Sequence, residues 1–212
     1  IGPSKSDEQF AEKKGFGCDL AAQVISTIIA IAKDSPLYIG LIDVKSAYDK
    51  SWKEGIWFKM HLKGVRGRVL KALASLLEEY PSHVHCSSSF SELIRVLIGL
   101  PQGSPLSGLC FTSFLDDLAE IIIDKGEGFH IMGLVIAGIF FMDDLTIFAT
   151  SADQLQSILN LLAKYAATWR LQFADKSVVL ALVDDPRQEW FIGTMKICTV
   201  AEGVLGGHLF EH

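Results

Sequence analysis

Apolar residues along this chain fall into short runs of strand length that alternate with longer stretches of helical period. After an aperiodic, mixed-charge opening over residues 1–17, Leu20, Val24, Ile28 and Ile31 recur on one face. They predict a helix over 20–33, with Asp19 as its cap and Asp34-Ser35-Pro36 as its stop. A continuous apolar run over 37–42 predicts a strand that ends at Asp43. Two helices follow over 53–63 and 66–80, the second with Leu70, Leu73, Leu77 and Tyr80 inward. Strands are predicted over 84–88 and 93–98, around a Ser-rich turn. Pro105 opens an apolar, buried helix over 105–123, on which Asp116 and Asp117 read as solvated or capping. Strands over 129–133 and 134–142 lead to an amphipathic helix over 152–171, with Leu155, Ile158, Leu159, Leu162 and Tyr165 inward. Short strands over 176–182, 190–192, 196–200 and 204–210 complete the pattern, the fold class being α+β.

Two adjacent carboxylates, Asp143 and Asp144, separate the apolar runs 134–142 and 145–149. That arrangement predicts a β-hairpin with the pair at its tip. Aspartate is a common turn residue, so a solvated turn explains the pair. The alternative is a pair held at the rim of a core to bind a divalent cation. Charge beside apolar surroundings is costly unless paired, and hard cations take carboxylate oxygens. A third carboxylate, Asp43, has a similar setting, directly after a buried strand, where a cap or turn is the plain reading. A strand-to-helix turn, Gly99 to Gly108, holds Gln102 and Gly103. Glycine admits close approach of a ligand, and a neutral amide can bond a base or sugar.

Composition narrows the choice. With 212 residues, half of them hydrophobic, the chain can bury one large core, with at most a small appendage. The net charge of −6 argues against a broad nucleic-acid surface, though not against a local basic groove. Lys59, Lys63, Arg66, Arg68 and Lys71 form a basic cluster that fits a solvated helix face or a nucleic-acid contact. Four cysteines without CxxC or zinc spacing predict buried thiols in a reducing compartment, hence an intracellular protein, nuclear or cytoplasmic. The apolar stretch 131–142 is too short to span a bilayer, so no membrane partner is expected. No signal peptide is expected and Ile1 is not an initiator, so the chain reads as a fragment or a processed chain, with further domains of a larger parent chain expected.

Taken in order, the motifs resemble the palm of a reverse transcriptase. Asp43-Val44-Lys45-Ser46-Ala47-Tyr48-Asp49 resembles the first palm motif of that family. Leu100-Pro101-Gln102-Gly103-Ser104-Pro105-Leu106-Ser107 resembles the second, and Phe141-Met142-Asp143-Asp144 the third. Lys176 in Asp175-Lys176-Ser177 resembles the fourth, and Leu205-Gly206-Gly207 weakly resembles the turn that holds the primer end. The Ala-Tyr-Asp ending of the first motif and Trp52 after it look like the non-LTR retrotransposon and group II intron branch. Where the family often has Gly-Phe-Arg, this chain has Gly15-Phe16-Gly17.

The resemblance implies a polymerase palm with a small antiparallel sheet backed by helices, partial fingers and no thumb. It divides the chain into 1–36 (partial fingers and lead-in helix), 37–50 (first palm motif), 51–98 (fingers and palm helices and strands), 99–200 (palm) and 201–212 (the start of a truncated primer-grip region). It implies attack of a primer 3′-hydroxyl on the α-phosphate of a dNTP, templated by RNA, with two Mg²⁺ ions for which Mn²⁺ can substitute. Asp43 and Asp143 would bridge both ions, Asp144 would support one, and the Val44 carbonyl would complete the nucleotide-side site. Tyr48 would be the steric gate beneath the sugar, with Gln102 and Gly103 along the nascent base pair. Met142 and Gly206 would touch the DNA primer, and Lys176 would protonate pyrophosphate. Two rival readings remain open. One is a silent reverse-transcriptase-like scaffold; the other is an RNA-dependent RNA polymerase palm, against which Met142 and Tyr48 speak.

Overall fold

The computed structural model describes residues 8–11, 15–33, 35–77, 80–86, 89–183, 189–200, 202–205 and 208–211. Its elements are, in order, α1 (Cys18–Ile31), β1 (Leu37–Asp43), α2 (Lys53–Leu62), α3 (Gly67–Leu77), β2 (Tyr80–Ser82), β3 (His85–Cys86), β4 (Ser89–Phe90) and β5 (Ile94–Val96). Then come α4 (Pro105–Leu115), α5 (Asp117–Asp124), β6 (Phe129–Ile131), β7 (Leu134–Ile136), β8 (Gly138–Phe141) and β9 (Asp144–Ala149). Last are α6 (Ala152–Trp169), β10 (Val178–Leu182), β11 (Glu189–Ile192), β12 (Met195–Val200), β13 (Glu202–Leu205) and β14 (His208–Glu211). The described residues form two units, a smaller one within 46–114 and a larger one within 8–45 and 115–211.

The larger unit is built on a six-stranded sheet in the order β11-β12-β10-β1-β9-β8. It is antiparallel except where β10 runs parallel to β12. The palm sheet that the motifs imply is thus present, antiparallel through β10, β1, β9 and β8, and β12 and β11 extend it. The two strands after the fourth motif join the same sheet, because alternating Trp190 and Ile192 on β11 have an apolar face to bury. β1 is central, paired with β9 on one side and β10 on the other, and its apolar run is nearly continuous because both faces are covered. Leu37 and Ile39 join Ala21, Ala22, Ile25 and Ile28 of α1 in one core cluster, with Phe148 and Leu180 of the flanking strands. Leu155, Ile158, Leu159 and Leu162 of α6 are fully buried, as the helical spacing predicts. Ser151 caps α6 by accepting a 3.1 Å bond from the Gln154 amide, while Gln154 Oε1 accepts from the Thr150 amide at 2.7 Å.

Several expectations need correcting. The opening is not all loose, since Glu8 to Phe10 pair with β8: the Phe10 amide donates to the Phe140 carbonyl and the Phe140 amide to the Glu8 carbonyl, both at 2.8 Å. This covers an otherwise open strand edge and buries Phe10. Gly17, extended, precedes α1, and Asp19 lies inside the first turn instead of capping it. The long helix over 105–123 is two helices, parted at Asp116. Asp116 is 1% exposed and so is not solvated, and Asp117 accepts a 2.7 Å bond from the Tyr165 hydroxyl of α6. Burial, then the Asp117 charge, pushes the Tyr165 pKa well above its ordinary value.

In the smaller unit, α3 stops at Leu77, and Tyr80 belongs to β2. Among Leu70, Leu73 and Leu77 only Leu77 is buried. The two predicted strands form a nested ladder in which β2 pairs with β5 and β3 with β4. Of the four cysteines, Cys110 is buried, Cys18 is half-buried, and Cys86 and Cys198 are exposed, so burial holds for one thiol only. Among the described residues no helix is long and apolar enough to cross a membrane.

Candidate active site

The acidic site lies at one end of the central strands of the larger unit. Phe141 pairs with Asp144, which leaves Met142 and Asp143 as a two-residue hairpin turn. The tip is therefore Met142-Asp143, not the aspartate pair, and Asp144 is the first residue of β9. Met142 has φ 55°, a left-handed conformation that tight hairpins require at the first turn position and that costs a side chain some strain. Across the sheet Asp144 is the direct partner of Asp43, so the pleat puts both side chains on one face. The Val44 amide donates to the Asp143 carbonyl at 3.0 Å, which ties the exit of β1 to the hairpin. The structure thus brings together Asp43, Val44, Asp143 and Asp144, which are about a hundred residues apart in the chain.

Other backbone groups hold Asp43 from the opposite side. Its amide donates to Ser177 Oγ at 3.2 Å, and its carbonyl accepts from the Ala174 amide at 2.8 Å. The Lys45 amide donates to the Gln172 carbonyl at 2.7 Å. The turn after α6 is thereby fastened to the end of β1, and it delivers Lys176, whose Nζ lies 2.7 Å from Asp43 Oδ1. The lysine side chain is 71% exposed, so this ion pair adds little to stability.

Electrostatics couple these groups. Burial is the largest cause raising the Asp143 pKa above the usual carboxylate range; the Asp43 charge adds to it, while a backbone hydrogen bond and Lys176 oppose it. Asp144 is raised first by burial, then by Asp143 and Asp43. Lys176 is held above its ordinary value by its hydrogen bond to Asp43 first, and by the charges of all three aspartates. Three carboxylates thus repel one another around one ammonium. Among the described residues no group of three or more His, Cys, Asp and Glu side chains forms a ready-made ion cage. The Lys176 ammonium takes the Asp43 oxygen that a cation would use. The donors nevertheless fit a hard divalent ion: oxygen ligands only, and excess negative charge that such an ion would neutralise. An open groove of about 470 Å³, lined by Lys45, Ala166, Leu171, Phe173, Asp175 and Ile192, includes none of the three aspartates.

The smaller unit holds the remaining candidates together. The Tyr48 ring is half-buried against Phe111, with centroids 5.5 Å apart and planes at 33°. The Leu100 amide donates to the Tyr48 carbonyl at 2.7 Å, and Gln102 Nε2 donates to Asp49 Oδ1 at 2.8 Å. Gln102 and Gly103 are exposed in the turn before α4. What permits this contact is Gly99, at φ +80°, where a Cβ would lie 2.4 Å from the Asp49 carbonyl oxygen and 2.5 Å from that of Tyr48. Sequence reasoning missed Gly99, Asp49 and Ser177. The glycine was legible as the first residue of the Gly-Leu-Pro-Gln-Gly stretch; the other two roles are visible only in three dimensions. Gly206, read as touching a primer, lies outside the described residues.

Solved structures share this layout. Apo telomerase from Candida tropicalis, truncated from its C-terminal domain, superposes with a TM-score of 0.62 at 11% identity, over 97% of this chain and 41% of that one. Apo telomerase from the same organism gives 0.56 at 14% identity, over 88% and 35%. Candida albicans telomerase in complex with the TWJ fragment of telomeric RNA gives 0.51 at 13%, over 89% and 33%. At such identities the likeness defines the fold alone, that of a polymerase palm with fingers elements. The chain spans 33–41% of the length of these telomerase chains. The sequence itself places it more narrowly: the chain belongs to the reverse transcriptase (RNA-dependent DNA polymerase) family, whose model matches residues 6–193. No curated protein matches it.

Proposed function

We propose that this chain supplies the palm of an RNA-directed DNA polymerase that adds deoxynucleotides to a primer 3′-hydroxyl on an RNA template, using Mg²⁺. The observation that supports it is the meeting of Asp43 and Asp144 as cross-strand partners, with Asp143 tied to the next residue, Val44. Asp43, Asp143 and Asp144 would hold the two ions, with Mn²⁺ able to replace Mg²⁺. When bound, such ions supply Lewis-acid stabilisation of the attacking and leaving oxygens. The chain's own residues do the rest. The backbone bonds that fix Asp43 keep its carboxylate in place without reorganisation. By the family's motifs Tyr48 would exclude a 2′-hydroxyl and Gln102, held by Asp49, would line the nascent pair.

Metal-dependent melting tests this reading most directly. Mg²⁺ or Mn²⁺ should raise the melting temperature of the wild type and not of Asp43→Asn, with a gain of about 2.7 kcal/mol at a hundredfold excess over Kd. Absence of any metal-dependent shift would fit a silent scaffold instead. Primer extension by the full parent chain, on RNA and DNA templates with dNTPs and rNTPs, then defines the reaction.

Lys176, kept protonated by its bond to Asp43, would give its proton to departing pyrophosphate once bound metal takes that carboxylate from it. Lys176→Leu should slow single-turnover incorporation by roughly 10²-fold, with unaltered primer binding. A normal rate removes it from the chemistry. Tyr48→Val should relax discrimination against ribonucleotides by roughly 10–10²-fold in kcat/KM. Unchanged sugar selectivity would show that the ring is not the gate.

A further inference from the structure

The chain is acidic as a whole, with net charge −6, yet residues 46–114 hold eight Lys or Arg against five Asp or Glu; Lys53 and Lys59 are buried, which leaves six basic residues toward the surface. Arg66, Arg68, Lys71 and Arg95 are exposed there. The same unit carries an aromatic face. His85 and Phe90 are direct cross-strand partners on β3 and β4, with ring centroids 4.6 Å apart and planes at 34°. His83 adds a third ring, edge-on to Phe90 at 6.4 Å. Phe90 is 71% exposed, and both histidines are exposed. The rings are nonetheless fixed. The Val84 amide donates to Ser91 Oγ, and the Ser91 amide donates to the Val84 carbonyl, both at 2.9 Å. His83 Nδ1 lies 2.9 Å from the Ser91 carbonyl and donates to it in the Nδ1–H tautomer. Exposed rings so held, in a unit whose described exposed residues include more cations than carboxylates, suit a flexible polyanion whose bases can stack. Every base offers such a face, so this recognition is tolerant of sequence. An acidic or apolar protein surface would use the cations or the bulk of Phe90, but not ring planarity.

We propose that the His83–His85–Phe90 face of this hairpin is a stacking platform for unpaired bases of a single-stranded polynucleotide, with Arg95 on β5 contributing to its phosphate field. The platform does not rest on the catalytic reading.

The test is fluorescence anisotropy of labelled single-stranded RNA and DNA of about 12 nucleotides, titrated with the 212-residue chain. Phe90→Ala should weaken binding about 5- to 100-fold. Phe90→Leu should weaken it as much, because leucine keeps apolar bulk and loses the ring face. Phe90→Trp should bind at least as well as wild type, with its new fluorescence quenched by the stacked base. Arg95→Gln should lower the slope of log affinity against log salt by about one. Phe90 is exposed, so these variants fold, which circular dichroism checks. The idea is overturned if Phe90→Leu binds like wild type, as it would on a surface made for a protein partner, or if Phe90→Ala changes nothing. The titration is run in chelator, without divalent ions or nucleotide, so failure of the platform is read independently of failure of the polymerase reading.

Discussion

Asp143→Asn should lose primer extension by at least about 10²–10³-fold while the protein melts no earlier than wild type. Asparagine is nearly isosteric, and the Asp143 carbonyl still accepts the Val44 amide, so the tie between hairpin and β1 survives. What disappears is one negative charge from a cluster of three. The direction of the stability change follows from the raised pKa of Asp143, caused first by burial. A carboxyl whose folded-state pKa is raised favours the folded state below its ordinary pKa. That contribution is lost as pH climbs through the raised value. At neutral pH, without metal, the ionised group therefore works against the fold, and its replacement by a neutral amide relieves that. Single-nucleotide extension by the full parent chain, beside melting curves in chelator at pH 7 and pH 5, reads both effects. Near-normal extension would remove the metal assignment. An early melt would show that the carboxylate itself holds the turn.

Gly99→Ala should destabilise the chain by about 2–4 kcal/mol, the sum of left-handed strain and a forced backbone shift. At φ +80° the new methyl would meet two carbonyl oxygens, those of Tyr48 and Asp49, and backbone cannot step aside as a side-chain tip can. The displacement acts on the Leu100–Tyr48 and Gln102–Asp49 bonds, so sugar selectivity should degrade together with stability. Urea unfolding measures the first effect and competition between dNTP and rNTP the second. A loss below about 0.5 kcal/mol would mean that the two segments are not in such close apposition.

The motifs of this chain were legible because each pairs a charged or polar residue with an apolar flank of strand or helix length. That is why β1, β9 and the inward face of α6 were readable. The hairpin itself was readable, but its register was not: one residue decides whether Asp144 belongs to the turn or to the strand, and pairing across the sheet makes that choice. Asp116 and Asp117 misled because a carboxylate on a helix is normally solvated; here Tyr165 supplies Asp117 with a buried partner from a distant helix. The pairing of Glu8 to Phe10 with β8 had no periodicity to betray it, being too short. Lys176 was found by its motif, but its bond to Asp43 depends on a turn pinned by Ser177 and Gln172, and nothing local announces that.

Burial pushes the Cys110 thiol up to about 12, so at neutral pH only about one molecule in 10⁵ carries its thiolate. A maleimide will pass it by and take the exposed Cys86 and Cys198 first. Cys86 is the residue next to His85, so Cys198→Ser together with Cys18→Ser leaves a natural attachment point for a fluorophore or spin label beside the hairpin's rings, while the interior Cys110 can stay.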